Sequence, residues 1–208
     1  MPARGRHVCA FGSTLAEQFD LAAPFLRAGL ARGEKSVFFC HETDARTVAK
    51  ELTARGVALN SPRRLGVSIS SCEAAGLAQL PFSPARTIGR WSKEADAALA
   101  EGFAGLRVVV EMTWALYGGL ERLAEYEAKS AALFVEKPLS ALCHYNRLRF
   151  SEAVLRDAIL AHPDLGVDGE MAGNPDYLPC DAFLALTRAS AIKDGRAARS
   201  ARRGLRTG

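Results

Sequence analysis

Residues 7–18 read HVCAFGSTLAEQ, and this stretch decides the fold. An apolar run from His7 to Phe11 is followed by a glycine, then by Thr14 and Glu17 at the spacing of a capping box. That pattern is a strand, a tight turn and the start of a helix. In a parallel α/β protein the turn after the first strand is where a nucleotide's phosphates would sit. A phosphate loop needs GxxxxGK[ST], so that glycine amides and a lysine can hold the anion. Here one glycine precedes Ser13, no lysine follows, and Glu17 stands where positive charge would be required. No G-x-G-x-x-G occurs at the turn either. ATP and dinucleotides are therefore not expected, and the reading is an α/β domain without a phosphate cradle.

Outward from this unit the same alternation repeats. SVFFC (36–40), VSISSC (67–72), LRVVVEM (106–112) and ALCHYN (141–146) read as further strands. Taken together the strands read as continuous apolar runs, as a sheet covered on both faces requires. Segments of helical period lie between them, at 13–35, 44–56, 84–102, 119–135 and 151–163. Gly33 and Gly56 are expected to close the first two helices, and Pro163 to stop the fifth. Pro24 is expected to kink the first helix or to mark its true start. Strand and helix in alternation five times over mean parallel strands joined by right-handed crossovers. The expected fold class is α/β: a mostly parallel sheet of about five strands flanked by helices in three layers. After Pro163 the pattern changes to short extended pieces and turns, then a terminal helix over CDAFLALTRASAI (180–192). Residues 1–191 read as a single domain and 192–208 as an Arg-rich, flexible tail.

Composition narrows the function classes. Of the formal charge of +4, the last sixteen residues, KDGRAARSARRGLRTG, contribute one Lys and five Arg against one Asp. The body is near neutral, so nucleic acid is a partner only through the tail. The most apolar stretch carries Arg107 and Glu111 and is too short to span a bilayer. No signal core follows the basic N-terminus, and no membrane partner is expected. Five cysteines at irregular spacing make no disulfide framework, which fits a reducing, cytoplasmic setting.

The chemistry-bearing residues fall on the strands. His7 and Cys9 share one face of the first strand, and Cys143 and Tyr145 share one face of the fifth. Were those strands neighbours, the four side chains would line one pocket at the strand ends. Two thiolates and an imidazole at His7, Cys9 and Cys143 suit zinc or another transition metal with soft-ligand preference, although no CxxC or HxxxH signature is present. The same residues could instead contact an organic ligand or belong to the core. His144 falls on the opposite face, and Cys40 and Cys72 read as core thiols. Glu111 ends the fourth strand, either as a carboxylate bonded to a helix N-terminus or to Trp114, or as the general base of a metal-dependent enzyme built on the Cys/His set. No complete catalytic constellation accompanies it.

Five segments, RHVCAF, APFLRAGLARGEKSVFF, GFAGLRVVVEMTWAL, YEAKSAALFVEKPLSALCHYNRLRF and HPDL with NPDYLPCDAFL, occur in the order found in the MEDS domain, which the chain resembles from about His7 to about Leu186. That domain is named for methanogen and methylotroph proteins and for the sensory region of a dichloromethane-responsive repressor. The resemblance implies a RecA/KaiC-like domain that has lost its phosphate loop and has no ATPase activity. In RecA-like order the first and fifth strands are neighbours. It implies a small-molecule, metal or redox sensor acting in signalling or transcriptional regulation. It carries ligand contact onto His7, Cys9 and Cys143, with Tyr145 adjoining and Glu111 and Trp114 at the acidic-aromatic strand end. Such domains commonly precede an effector module, whereas only the tail follows here. The output is therefore expected in a separate effector protein, in a homodimer or in the tail. Cys180 stands where a proline or polar residue is expected.

Overall fold

The computed structural model describes residues 5–61, 65–167 and 169–189. The first unit forms as its sequence dictates. Strand β1 (His7–Gly12) leads into helix α1 (Leu15–Ala31), capped by Thr14, whose hydroxyl accepts from the Glu17 amide. Glu17 reaches back to the amide of Ser13 at 2.6 Å, one residue earlier than in a standard capping box. The helix runs through Pro24 rather than starting there, and ends before Gly33, whose φ of +71° supplies the left-handed turn.

Strand β2 (Lys35–Cys40), helix α2 (Ala45–Ala54), strand β3 (Ser68–Ser71), helix α3 (Pro84–Ala100) and strand β4 (Leu106–Glu111) follow. Asp44 caps α2, and Ser83 with Pro84 opens α3. The fourth helix differs from expectation. Two 3-10 turns, Met112–Tyr117 and Leu120–Arg122, precede α4 (Leu123–Glu136). The cause is the Gly118–Gly119 pair, with Gly118 at φ +121°, which no continuing helix accommodates. Strand β5 (Leu139–Asn146) and helix α5 (Glu152–Ala161) complete the repeating part.

The sheet has seven strands where about five were expected, in the order β3-β2-β4-β5-β1-β6-β7. The two additions are β6 (Asp164–Val167), parallel to β1, and β7 (Glu170–Gly173), antiparallel to β6 at the edge. They fall in the region read as short extended pieces and turns; each has only four residues and no continuous apolar run, so neither was counted among the strands of the sheet. Strands β1 and β5 are neighbours, in register from His7 opposite Ala141 to Gly12 opposite Asn146.

Strand alternation divides the core in two. Val8, Ala10, Phe38, Val109 and Leu142 point toward α1 and α2. Cys9, Val108, Val110, Ala141, Cys143 and Tyr145 point toward α3, α4 and α5. Residues 180–189 are helical, and Phe183 packs there against Ala128 and Ala161. The end of that helix, the domain boundary at 191 and the tail lie outside the described residues. Among the described residues no helix is long and apolar enough to cross a membrane.

Candidate functional site

The β1–β5 register sets Cys9 opposite Cys143 and Phe11 opposite Tyr145, with His7 two residues earlier on the same face. Two helices bring further polar groups onto that face. Glu127 lies on the buried side of α4, and His162 is the C-cap of α5. Glu127 Oε2 lies 3.2 Å from His7 Nε2 and 3.5 Å from His162 Nε2. Cys143 Sγ lies 3.7 Å from His7 Nε2. Tyr145 donates its hydroxyl to Glu127 Oε1 at 2.7 Å. His162 Nδ1 sits 2.7 Å from the carbonyl of Ala158, which can only accept, so Nδ1 carries the proton and Nε2 presents a lone pair. The His7 ring stacks on Phe134 at 4.3 Å and leans on the His162 ring at 3.9 Å.

These groups are sealed from solvent: none of His7, Glu127, Cys143, Tyr145 and His162 is more than 4 % exposed. Burial governs their protonation. It lowers His7 and His162 to about 3, with His7 adding to the effect on His162. It raises Glu127, and it raises the thiols of Cys143 and Cys9, with Glu127 adding to both. Near neutrality both imidazoles are therefore uncharged, so the close contacts with Glu127 are not ion pairs. His7 Nδ1, His162 Nε2 and Glu127 Oε2 have no hydrogen-bond partner. An unpaired buried polar atom ordinarily costs about 1–3 kcal/mol. Two of them, His162 Nε2 and Glu127 Oε2, stand 3.5 Å apart and mark a place built for something other than stability.

A groove of about 60 Å³ between α4 and α5 reaches down to Glu127 and Tyr145, walled by Leu123, Val154 and Ala158. A separate cavity of about 10 Å³ is lined by His7, Cys143, Trp91, Tyr126 and Phe134. Glu127 and Tyr145 thus line the first, and His7 and Cys143 the second.

The sequence-expected residues separate into two groups. His7, Cys9, Cys143 and Tyr145 share one face, as neighbouring β1 and β5 require. They are spread along that face rather than gathered at the carboxyl ends: His7 opens β1, whereas Tyr145 is next to last in β5. Cys9 is fully buried but stands outside the set of four, His7, Glu127, Cys143 and His162, whose ligand atoms all fall within 4.8 Å of one another. Glu111 is on the other face, opposite His144 in register. Its carboxylate accepts from Gln18 Nε2 at 2.6 Å, from the His41 amide at 2.6 Å and from the Thr43 amide at 3.1 Å. Trp114 packs on Phe82 and Tyr126, and its Nε1 has no partner. The structure thus does not bring Glu111 to the Cys/His set. Cys180 is half-buried, and its thiol is pushed up by burial and then by Asp181, away from the low-pKa regime of reactive thiols.

Two members of the cluster were not singled out from sequence. Glu127 was detectable: it falls on the helical stripe Leu123, Tyr126, Ser130, Leu133, Phe134, a core face where an unpaired carboxylate is out of place. His162 sits between a helix and Pro163 and carries no local signal beyond that stop.

The sequence profile of the family described as "MEDS: MEthanogen/methylotroph, DcmR Sensory domain" matches residues 6–163, a span that contains every member of the cluster. No curated protein matches the sequence. Among solved structures, the crystal structure of a KaiC-like protein from the hyperthermophilic archaeon Pyrococcus horikoshii OT3 is similar over 78 % of this chain and 70 % of that one, with 13 % identity and a TM-score of 0.49.

Proposed function

The chain belongs to the MEDS family of sensory domains, and from that premise we propose that it senses a small ligand at the buried cluster of His7, Glu127, Cys143, Tyr145 and His162. The observation that carries this reading is the group of unpartnered polar atoms in a buried interior, with a narrow groove that reaches Glu127 and Tyr145. The cluster ties β1 and β5 to α4 and to the end of α5. A ligand that satisfies those atoms shifts the packing of both helices on the sheet, and the altered helical face is read by a partner protein or a second copy. The work is done in the cytoplasm, where the described free thiols stay reduced.

The reading includes no ATPase activity. The Ser13 amide, which would face a phosphate at the β1–α1 turn, is already taken by the Glu17 carboxylate. An enzyme that uses Glu111 as general base is not favoured, because that carboxylate is engaged by three N–H donors on the opposite face.

Thermal unfolding of the full chain with a panel of one-carbon compounds, zinc and MgATP tests the proposal. At least one of the first two classes should stabilise the wild type but not Glu127→Gln, and slow hydrogen exchange in α4 and α5. Equal shifts in both proteins would put the binding elsewhere. Stabilisation by MgATP would overturn the nucleotide-free reading.

A further inference from the structure

We propose that His7, Glu127, Cys143 and His162 form a closed, four-ligand site for a divalent transition metal ion of the zinc class. This names the ligand of the sensory site and rests on that reading. Zinc binds nitrogen and oxygen at about 2.0–2.2 Å and thiolate sulfur at about 2.3 Å, so the edges of its tetrahedron run from about 3.3 to about 3.8 Å. Three edges are already near those lengths: 3.2 Å from His7 Nε2 to Glu127 Oε2, 3.5 Å from Glu127 Oε2 to His162 Nε2, and 3.7 Å from His7 Nε2 to Cys143 Sγ. All four residues offer a ligand atom within 4.8 Å of the others, so small rotamer adjustments close the cage.

The surrounding hydrogen bonds aim the donors. The Ala158 carbonyl holds the proton of His162 on Nδ1 and turns Nε2 inward. Tyr145 occupies Oε1 of Glu127 and leaves Oε2 for the ion. Ligating histidines and carboxylates are ordinarily held in this way by outer partners. His162 Nε2 and Glu127 Oε2 are two of the buried atoms without a hydrogen-bond partner, and an ion would satisfy both. Charge balances as well. On binding, the Cys143 thiol, and Glu127 where it is protonated, release their protons to solvent. One carboxylate, one thiolate and two neutral imidazoles then cancel the divalent cation, which offsets the cost of burying it. A set with two nitrogens and a sulfur disfavours magnesium and calcium, which take oxygen cages. Four protein ligands leave no position for a substrate water, as in structural rather than hydrolytic sites. The ion's occupancy is then the signal, felt directly by β1, β5, α4 and the end of α5.

The test is titration of the metal-stripped full chain with Co²⁺ under reducing, anaerobic conditions, followed by displacement with Zn²⁺, with Mg²⁺ as control. The expected result is one equivalent of Co²⁺ with a tetrahedral spectrum and a thiolate charge-transfer band, abolished by Zn²⁺ and untouched by Mg²⁺. Cys143→Ser should lose the charge-transfer band and Cys9→Ser should keep it. Tyr145→Phe should weaken affinity about 10–100-fold, as loss of an outer partner does. No stoichiometric binding by the wild type, a six-coordinate spectrum, or loss of the band in Cys9→Ser instead of Cys143→Ser overturns the assignment, whether or not other variants fold. The sensory reading fails separately. A metal-free protein stabilised by an organic compound keeps that reading and loses the metal. A metal that binds as described without changing exchange in α4 and α5 keeps the site and loses the sensor.

Discussion

The hydroxyl of Tyr145 on β5 donates to Oε1 of Glu127 on α4 across 2.7 Å, and both residues are closed to solvent. This bond is the described side-chain hydrogen bond to that carboxylate, and it spans the interface between sheet and helix. Tyr145→Phe keeps the ring in place against Phe150, 5.2 Å away, and removes only the donor. It should cost about 1–3 kcal/mol of stability, the penalty for leaving a buried acceptor unpaired. Urea unfolding measures it, and an unchanged midpoint would show that Glu127 has another donor.

Arg107 makes the corresponding test for the other half of the core. Its Nε donates to Glu34 Oε2 at 2.5 Å, its guanidinium lies 4.3 Å above the Phe25 ring, and its side chain is 2 % exposed. Removing the carboxylate by Glu34→Ala strands a buried cation and should cost about 3–5 kcal/mol. Arg107→Met removes the charge and keeps most of the volume, so its loss should be clearly smaller. Denaturant unfolding of the two variants side by side decides; the reverse order would mean that the stacking on Phe25 outweighs the ion pair.

Glu111 is expected to act through the backbone it gathers. Glu111→Gln turns one acceptor oxygen into an N–H donor facing the amides of His41 and Thr43 or the side chain of Gln18. A loss of about 1–3 kcal/mol follows from that mismatch. Co²⁺ binding should be unchanged, since the His7 cluster is on the opposite face. A variant of normal stability with altered metal or ligand response would return Glu111 to the site.

The glycine of the first turn serves packing. A Cβ at Gly12 would lie 2.9 Å from His144 Nε2 and 3.2 Å from Glu17 Cβ. Gly12→Ala should therefore destabilise by about 1–3 kcal/mol through overpacking, read as a lower melting temperature. MgATP should leave the melting temperature of the wild type unmoved.

Asp44 sets a pH dependence for α2. Its carboxyl is held below the usual range, first by the Thr47 hydroxyl and then by the Thr47 and Arg46 amides. A depressed carboxyl contributes stability that is complete above the unfolded value of about 3.9 and is lost as pH falls through the lower folded value. The stability difference between the wild type and Asp44→Ala should be constant from neutral pH down to about 5 and shrink below about 4. A difference that persists in acid would mean that the cap works without its charge.

The alternation of strands and helices was legible because each element answers to its neighbours in the chain. Apolar runs such as SVFFC make strands, and Thr14, Asp44, Ser83 and Ser151 start helices by binding amides two or three residues on. Failures were local and have local causes. Gly118 and Gly119 delay α4, and the four-residue strands β6 and β7 carry too little apolar pattern to stand out.

The site is a different matter. That His7 and Cys9 face one way follows from the strand's period of two, and it was readable from HVCAF alone. Their company was not. Cys143 meets His7 because β5 pairs with β1 across 136 positions of chain. Glu127 and His162 arrive from helices that cross that face, and Cys9 falls outside the quartet although it is two residues from His7. By itself the sequence determined the α/β alternation, the absence of a phosphate loop and the face on which each strand residue lies, since these depend on neighbours a few residues apart. Only the tertiary structure decided which four side chains meet at one buried point, because strand pairing and burial are set by contacts between distant parts of the chain.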